Sequence, residues 1–315
     1  MYAGKIFLIG TEAGRGYRNA GVLAASGGDL VLQNNGWLSN TGTLQANGNH
    51  QINIQGDLTN TGTLYAGVDQ AISASGVLNN SGVIASQGNT TLTAASVNST
   101  AGSVLGAGIS ANGTLGTTGT LQISATGSVS AHGQVVAAGD LVASGTGIDV
   151  SGSQAQAENI SLVASTSNIS TANATLASAG TLVLSTPQNL DNSRGNVRAS
   201  QVNIVAANLT NIHGKIVQTG SGDTVINLTS ASATLDNTNG NIALNSQNVT
   251  LVASALTNVN GTLVHGGTGQ FTVNATTLNN TNGNIALNSQ NVTLVTSSLA
   301  NTNGSISHAG TGQFN

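Results

Sequence analysis

Apolar and polar positions alternate in short runs along most of the chain, as in Ile52-Asn53-Ile54, Leu121-Gln122-Ile123, Val202-Asn203-Ile204 and Val249-Thr250-Leu251. A period of two predicts strands with one buried face. The runs are short and rich in Val, Ile, Leu and Thr, and Gly, Asn and Ser separate them, as at turns. No apolar i, i+3, i+4 pattern lasts long enough to predict a helix. The expected class is all-β.

The strands recur at a fixed interval. Leu38, Leu58 and Leu78 are 20 residues apart, and so are Asn40, Asn60 and Asn80 and then Gly42, Gly62 and Gly82. Later, Leu190, Leu209, Leu235, Leu256, Leu278 and Leu299 each open L-x-N-x-x-G-x-[ILV], whose Asn column includes Asn237, Asn258, Asn280 and Asn301. The late form is one residue longer at the turn than the early L-x-N-x-G-x-[LI]. Residues 238–252 and 281–295 are identical, so a block of 43 residues is duplicated. Ile123, Ala143, Val163 and Val183 mark the period through the weaker stretch 100–185. The only interval read as carrying a long insertion is Leu209 to Leu235.

One unit of 20–22 residues holds about three strands and cannot bury its own apolar face, whereas stacked units can. Stacking turns each column into a ladder with coils about 4.8 Å apart. The chain then makes about 15 coils, with Leu, Ile and Val inside and Asn40, Asn60 and Asn80 able to form a side-chain amide ladder. Composition agrees. Only 5% of the 315 residues are charged, and residues 237–315 hold no Asp, Glu, Lys or Arg. In a parallel stack, like charges in adjacent coils would repel. The absence of Cys excludes disulfides and thiolate metal sites. A net charge of −4 argues against a nucleic-acid surface, and no run of about 18 apolar residues predicts a membrane span.

The repeat over about 31–315 and the opening MYAGKIFLIGTEAGRGYRNAG at 1–21 resemble the filamentous haemagglutinin family of two-partner-secretion exoproteins, which includes contact-dependent growth-inhibition exoproteins. The resemblance implies a right-handed parallel β-helix. It implies residues 1–30 as the junction following a secretion domain and as the first coils, and 31–315 as one continuous solenoid. It also implies export through an outer-membrane transporter partner, and a secreted cell-surface adhesin that meets a host or neighbouring-cell receptor in adhesion or virulence. The functional expectation is a rigid stalk segment projecting a distal adhesive or toxin module. The alternatives are a polysaccharide-active β-helix enzyme and a dedicated glycan or receptor-binding module on the rod.

Candidate chemistry is sparse, and no enzyme, cofactor or metal is expected. Glycosidic catalysis needs paired carboxylates, and the nearest approach to an acid–base cluster is Asp191 with Arg194 and Arg198. His50, His132, His213, His265 and His308 form no H-x-H or H-x-x-x-H pair and are expected at surface turns. Gly27-Gly28-Asp29 is a fragment of a calcium-type repeat that needs many copies. The Thr-x-Thr row of Thr41/Thr43 and Thr61/Thr63 fails at Ser81 and Val83. Trp37 and Tyr65 flank inward leucines and are expected to point outward, as weak candidates for stacking on sugars. Lys215 and Asp223, in the long interval, mark the place expected for a binding module. Chance supplies most of the N-x-[ST] triplets in such a composition, for example at Asn89, Asn98, Asn208, Asn248 and Asn291, and the family resemblance implies that such sites can carry glycans.

Overall fold

The computed structural model describes residues 1–315. The chain consists of short strands and turns, with no helix. A representative coil holds three strands, Leu58–Asn60, Thr63–Ala66 and Gln70–Ala74. Strands of the second rank, such as Thr63–Ala66, form a 15-stranded sheet, and the other two ranks belong to a second sheet of 25 strands. Each strand pairs in parallel with its counterpart one turn on. Leu58 meets Leu78, Leu64 meets Ile84 and Ile52 meets Ile72. The fold is therefore a parallel β-solenoid of about fifteen turns, as the repeat predicts. From Val249 onward the third strand of a coil runs directly into the first strand of the next, giving Val249–Thr257, Gln270–Asn279 and Asn291–Ala300.

The chain divides into two compact units, Met1–Asp149 with Ser153–Ser161, and Val150–Gly152 with Leu162–Asn315. In the first, the opening residues already form coils. Ile6–Gly10 pairs with Leu30–Asn34, and Tyr17–Asn19 with Leu38–Asn40. Its core is a set of apolar columns in which Leu38, Leu44, Leu58, Leu64, Leu78 and Ile84 are all buried. In the second unit, Leu190, Leu209, Leu235, Leu256 and Leu278 fill the equivalent column. Each buried column removes a continuous apolar stripe from water, which one coil could not do alone.

Two expectations need correction. The first concerns coil length. Val97 pairs with Val129, 32 residues on, because residues 108–120 leave the coil as an insertion. The long interval at 209–235 is real, since Leu209 pairs with Leu235, but it is not the only one. The second concerns the weak middle stretch. Ile123 and Ala143 are paired and buried as expected, whereas Val163 is exposed and Val183 lies between the buried Leu182 and Leu184. A period of two tolerates an error of one residue, which exchanges the two faces.

The turns separate two roles. The residue added in the late repeats adopts a left-handed backbone at Asn173, Arg194, His213, Asn239, Asn260, Asn282 and Asn303, with φ of 52–58°. A glycine follows it in every case but Asn173, which Ala174 follows, and that glycine is needed for a different reason. At Gly261 a Cβ would lie 2.2 Å from the Asn237 carbonyl oxygen one coil below, and at Gly62 it would lie 2.0 Å from the Gly42 oxygen. Close stacking of backbone, rather than positive φ, fixes glycine there.

Candidate functional site: the amide ladders and the outer faces

The Asn columns form two hydrogen-bonded ladders, one in each unit. In the first, the Asn19 Nδ2 donates to Asn40 Oδ1, Asn40 to Asn60, and Asn60 to Asn80, each at 2.8 Å, and Asn80 then donates to Ser99 Oγ at 3.1 Å. In the second, Thr171 Oγ1 donates to Asn192, and the line continues through Asn211, Asn237, Asn258, Asn280 and Asn301 at 2.7 Å per step. Every step has the same polarity, with the side-chain donor of one coil, an amide in all but Thr171, donating to the oxygen of the next. The same Nδ2 also reaches backbone carbonyls, as Asn60 does to Gly62 and Val83. Asn40, Asn60, Asn192, Asn211, Asn258 and Asn280 are fully buried. Such groups are tolerated inside only when their hydrogen bonds are made.

The acids clamp corners and are not gathered. Asp29, Asp57 and Asp69 each accept a backbone N–H of the next coil, from Asn49, Val77 and Asn89. Asp223 does the same for Asn248, at 3.1 Å. Asp191 accepts Ser193 N–H at 2.9 Å within its own turn and forms no ion pair with Arg194 or Arg198. The ion pairs lie elsewhere, between Lys5 and Asp29 and between Arg15 and Glu12, and the His132 Nε2 lies 3.8 Å from Asp149 Oδ2. Lys215 and Asp223 are not brought together. No group of three or more His, Asp or Glu is placed to hold a metal.

The histidines depart furthest from expectation. His50 and His265 are fully buried, not surface turn residues. His265 is satisfied, with Nδ1 2.6 Å from Ser289 Oγ and Nε2 2.7 Å from the Ser246 carbonyl oxygen, and its ring lies 5.5 Å from that of Phe271. Burial lowers its pKa, against a smaller raising effect of the Ser246 carbonyl. His308 repeats the contact, on the Ser289 carbonyl. His50 is different, since neither ring nitrogen has a protein partner, and the amide of the adjacent buried Gln70 has none either.

Trp37 is 43% exposed, with its indole seated on Gly16, where a Cβ would come within 2.1 Å of the ring. Tyr65 faces outward from the second-rank sheet but is half-buried rather than open, because the insertion at 108–120 crosses over it. The insertion closes on itself through an antiparallel bridge of Ile109 with Leu115, and the Tyr65 hydroxyl donates to the Ile109 carbonyl at 3.2 Å. The Ile109 side chain covers Gly106, where a Cβ would meet its Cδ1 at 2.3 Å, and the outward-facing Ala85 is only 3% exposed. Burial raises the Tyr65 pKa. Tyr65→Phe removes the hydrogen bond that tethers the Ile109 end of this strap to the sheet, at a cost of about 1 kcal/mol. Amide exchange and limited proteolysis at 109–118 are expected to speed up while the coil cores stay protected.

The haemagglutinin-repeat family profile matches residues 3–62, 61–127, 109–186 and 267–313, together most of the chain. The chain belongs to the haemagglutinin-repeat family. It is 40% identical over 228 residues to a protein named toxin CdiA from Yersinia pestis, an alignment covering 72% of this chain and 7% of that protein. The chain thus spans a small part of the length of this relative. No solved structure matches it. Haemagglutinin-repeat proteins of this kind are secreted surface exoproteins, exported in general through an outer-membrane transporter partner, and their repeat regions are not typically enzymatic.

Proposed function

We propose that these haemagglutinin repeats form a rigid stalk segment of a secreted, cell-surface exoprotein, which carries a distal adhesive or toxin module towards a host or neighbouring cell. In this reading residues 1–30 join the stalk to an upstream secretion domain, and residues 31–315 are stalk throughout. The observation that supports it is the one-way ladder. Each coil pairs its backbone with the coil before it, and its Asn oxygen meets a donor already in place on that coil. A coil therefore needs only its predecessor in order to fold. Successive coils add about 4.8 Å each, so chain length converts directly into reach. Folding outside the membrane, one coil at a time, also opposes backsliding of the emerging chain, where no ATP is present. The separately engaged acids support this reading over an enzymatic one.

The test is secretion of the full-length exoprotein carrying Ile72→Asp. Ile72 is 2% exposed in an apolar column between Ile52 and Leu92. A carboxylate there cannot be buried without several kcal/mol of cost. The variant is expected to appear at the surface more slowly than wild type and to stall in the periplasm. Export at the wild-type rate would overturn the coupling of coil formation to secretion. Normal display of the distal module after removal of 31–315 would overturn the stalk.

A further inference from the structure

The chain has only six Lys and Arg residues, and three of them, Arg194, Arg198 and Lys215, fall in two adjacent coils of the second unit. Arg198 lies on the outer face of Asn196–Ala199, two positions beyond Asn196, and Lys215 sits in register directly on Asn196. Arg194 holds the left-handed turn position just before that strand, and His213 holds the same position one coil on. Arg194, Arg198, His213 and Lys215 are all exposed, and none makes an ion pair. The strand positions paired with them in the flanking coils are Thr175, Ala177, Asn241 and Ala243, so no carboxylate neutralises the patch from the same face. Asp191, the acid nearest in sequence, is turned to the Ser193 N–H.

A second observation is independent of charge. Seven turns in this unit place one non-glycine residue at positive φ, and five of these residues are Asn: Asn173, Asn239, Asn260, Asn282 and Asn303. Asn, like Asp and His, tolerates that conformation better than most side chains with a Cβ. The two exceptions are Arg194 and His213, both within the patch. Selection for coil stability alone would leave Asn in these turns, as in the sister coils. His shares that tolerance, so Arg194 is the outlier, and there the left-handed backbone is kept where it presents a basic side chain.

We propose that this face binds a linear acidic polysaccharide through its carboxylates, laid along the coil axis over the second-rank sheet. Arg pairs with carboxylate in a two-bond fork. The column Thr175, Asn196, Lys215, Asn241 offers a polar side chain every coil, about 4.8 Å apart, a pitch suited to one sugar after another. An open strand face fits a polymer, whereas small ligands are held in concave pockets. A lipid surface would call for exposed large apolar side chains beside the cations, and the neighbours here are Asn, Thr and Ala. This inference does not depend on the stalk reading.

The test uses the 315-residue chain on immobilised polygalacturonate, with neutral dextran, dextran sulfate and phosphatidylglycerol vesicles as comparison surfaces. Wild type is expected to bind polygalacturonate in a salt-dependent way and to ignore dextran. Combining Arg194→Asn, Arg198→Ala, His213→Asn and Lys215→Asn is expected to weaken binding at least about tenfold, through loss of the charge-assisted contacts. Replacing the other three cations (Lys5→Asn, Arg15→Ser, Arg18→Ser) is expected to change it less than about twofold, as for charges remote from the contact. The pair Arg194→Asn and His213→Asn is expected to raise the thermal midpoint while lowering binding, a combination that a purely structural role would not give. The proposal is overturned by absence of wild-type binding, by equal losses in the two cation sets, by binding only to vesicles or dextran sulfate, or by a lower thermal midpoint in the Asn pair.

Discussion

Asn258→Asp is expected to destabilise the second unit by about 3–5 kcal/mol, the range for an uncompensated buried charge. Asn258 is fully buried. Its Nδ2 donates to Asn280 Oδ1 at 2.7 Å, to the Gly261 carbonyl at 3.2 Å and to the Asn284 carbonyl at 3.3 Å. A carboxylate keeps the bond received from Asn237 but turns three attractive contacts into repulsions between oxygens. The contrast within the same ladder makes the prediction sharp. Asn301 ends the column, is half-buried, and donates only to the Gly304 carbonyl, at 3.3 Å. Asn301→Asp is therefore expected to cost about 1 kcal/mol, the worth of one ordinary hydrogen bond. Stacked repeats open in sections, so amide exchange at 236–284 is the direct readout, with urea unfolding beside it. Equal costs at the two positions would show that the ladder carries no stability of its own. The penalty at Asn258→Asp should also shrink as pH falls. The buried carboxyl takes up its proton more readily than it would unfolded, so acid favours the folded form of the variant.

The repeat was legible because a solenoid writes its geometry into sequence. Each column must satisfy one environment, so Leu, Asn and Gly return at Leu58, Asn60 and Gly62 and again at Leu78, Asn80 and Gly82. The fold class and the amide ladder both follow from that. The strap at 108–120 was not legible, because its Gly, Ser, Thr and Ala are the residues of ordinary corners and its one large anchor is Ile109. As a result the cover over Tyr65 was missed. The buried histidines were also missed. His265 occupies a column shared with Leu244 and Leu287, and it is tolerated there only because Ser246 and Ser289 in the flanking coils accept or donate to both ring nitrogens. That pairing spans coils and leaves no local pattern. The cationic face was half visible. Arg194 and Arg198 were evident beside Asp191, but their register with Lys215 and the left-handed turns of Arg194 and His213 required the coil geometry.

Acid is expected to loosen the first unit through His50. The ring is fully buried in the column Leu30, His50, Gln70, and desolvation pulls its pKa from 6.5 down to about 3. The folded state thus holds His50 neutral while the unfolded chain protonates it near pH 6.5. Above pH 6.5 neither form is charged, and the residue has no pH effect. Between pH 6.5 and 3 the unfolded state binds a proton that the folded state refuses, so stability falls by about 1.4 kcal/mol per pH unit, to a ceiling of roughly 5 kcal/mol. No acid relieves this, since the residues in register with His50 are Leu30 and Gln70 and neither ring nitrogen has a protein partner. His50→Leu separates this mechanism from general acid unfolding. Leucine already fills the same column at Leu30, and again at Leu121 and Leu141. The variant is expected to gain about 1–3 kcal/mol at neutral pH by removing unpaired buried nitrogens, and amide exchange at 50–54 should lose its steepening between pH 6 and 4. Identical pH profiles for wild type and His50→Leu would place the acid sensitivity elsewhere, with His265 the next candidate because its pKa is displaced in the same direction.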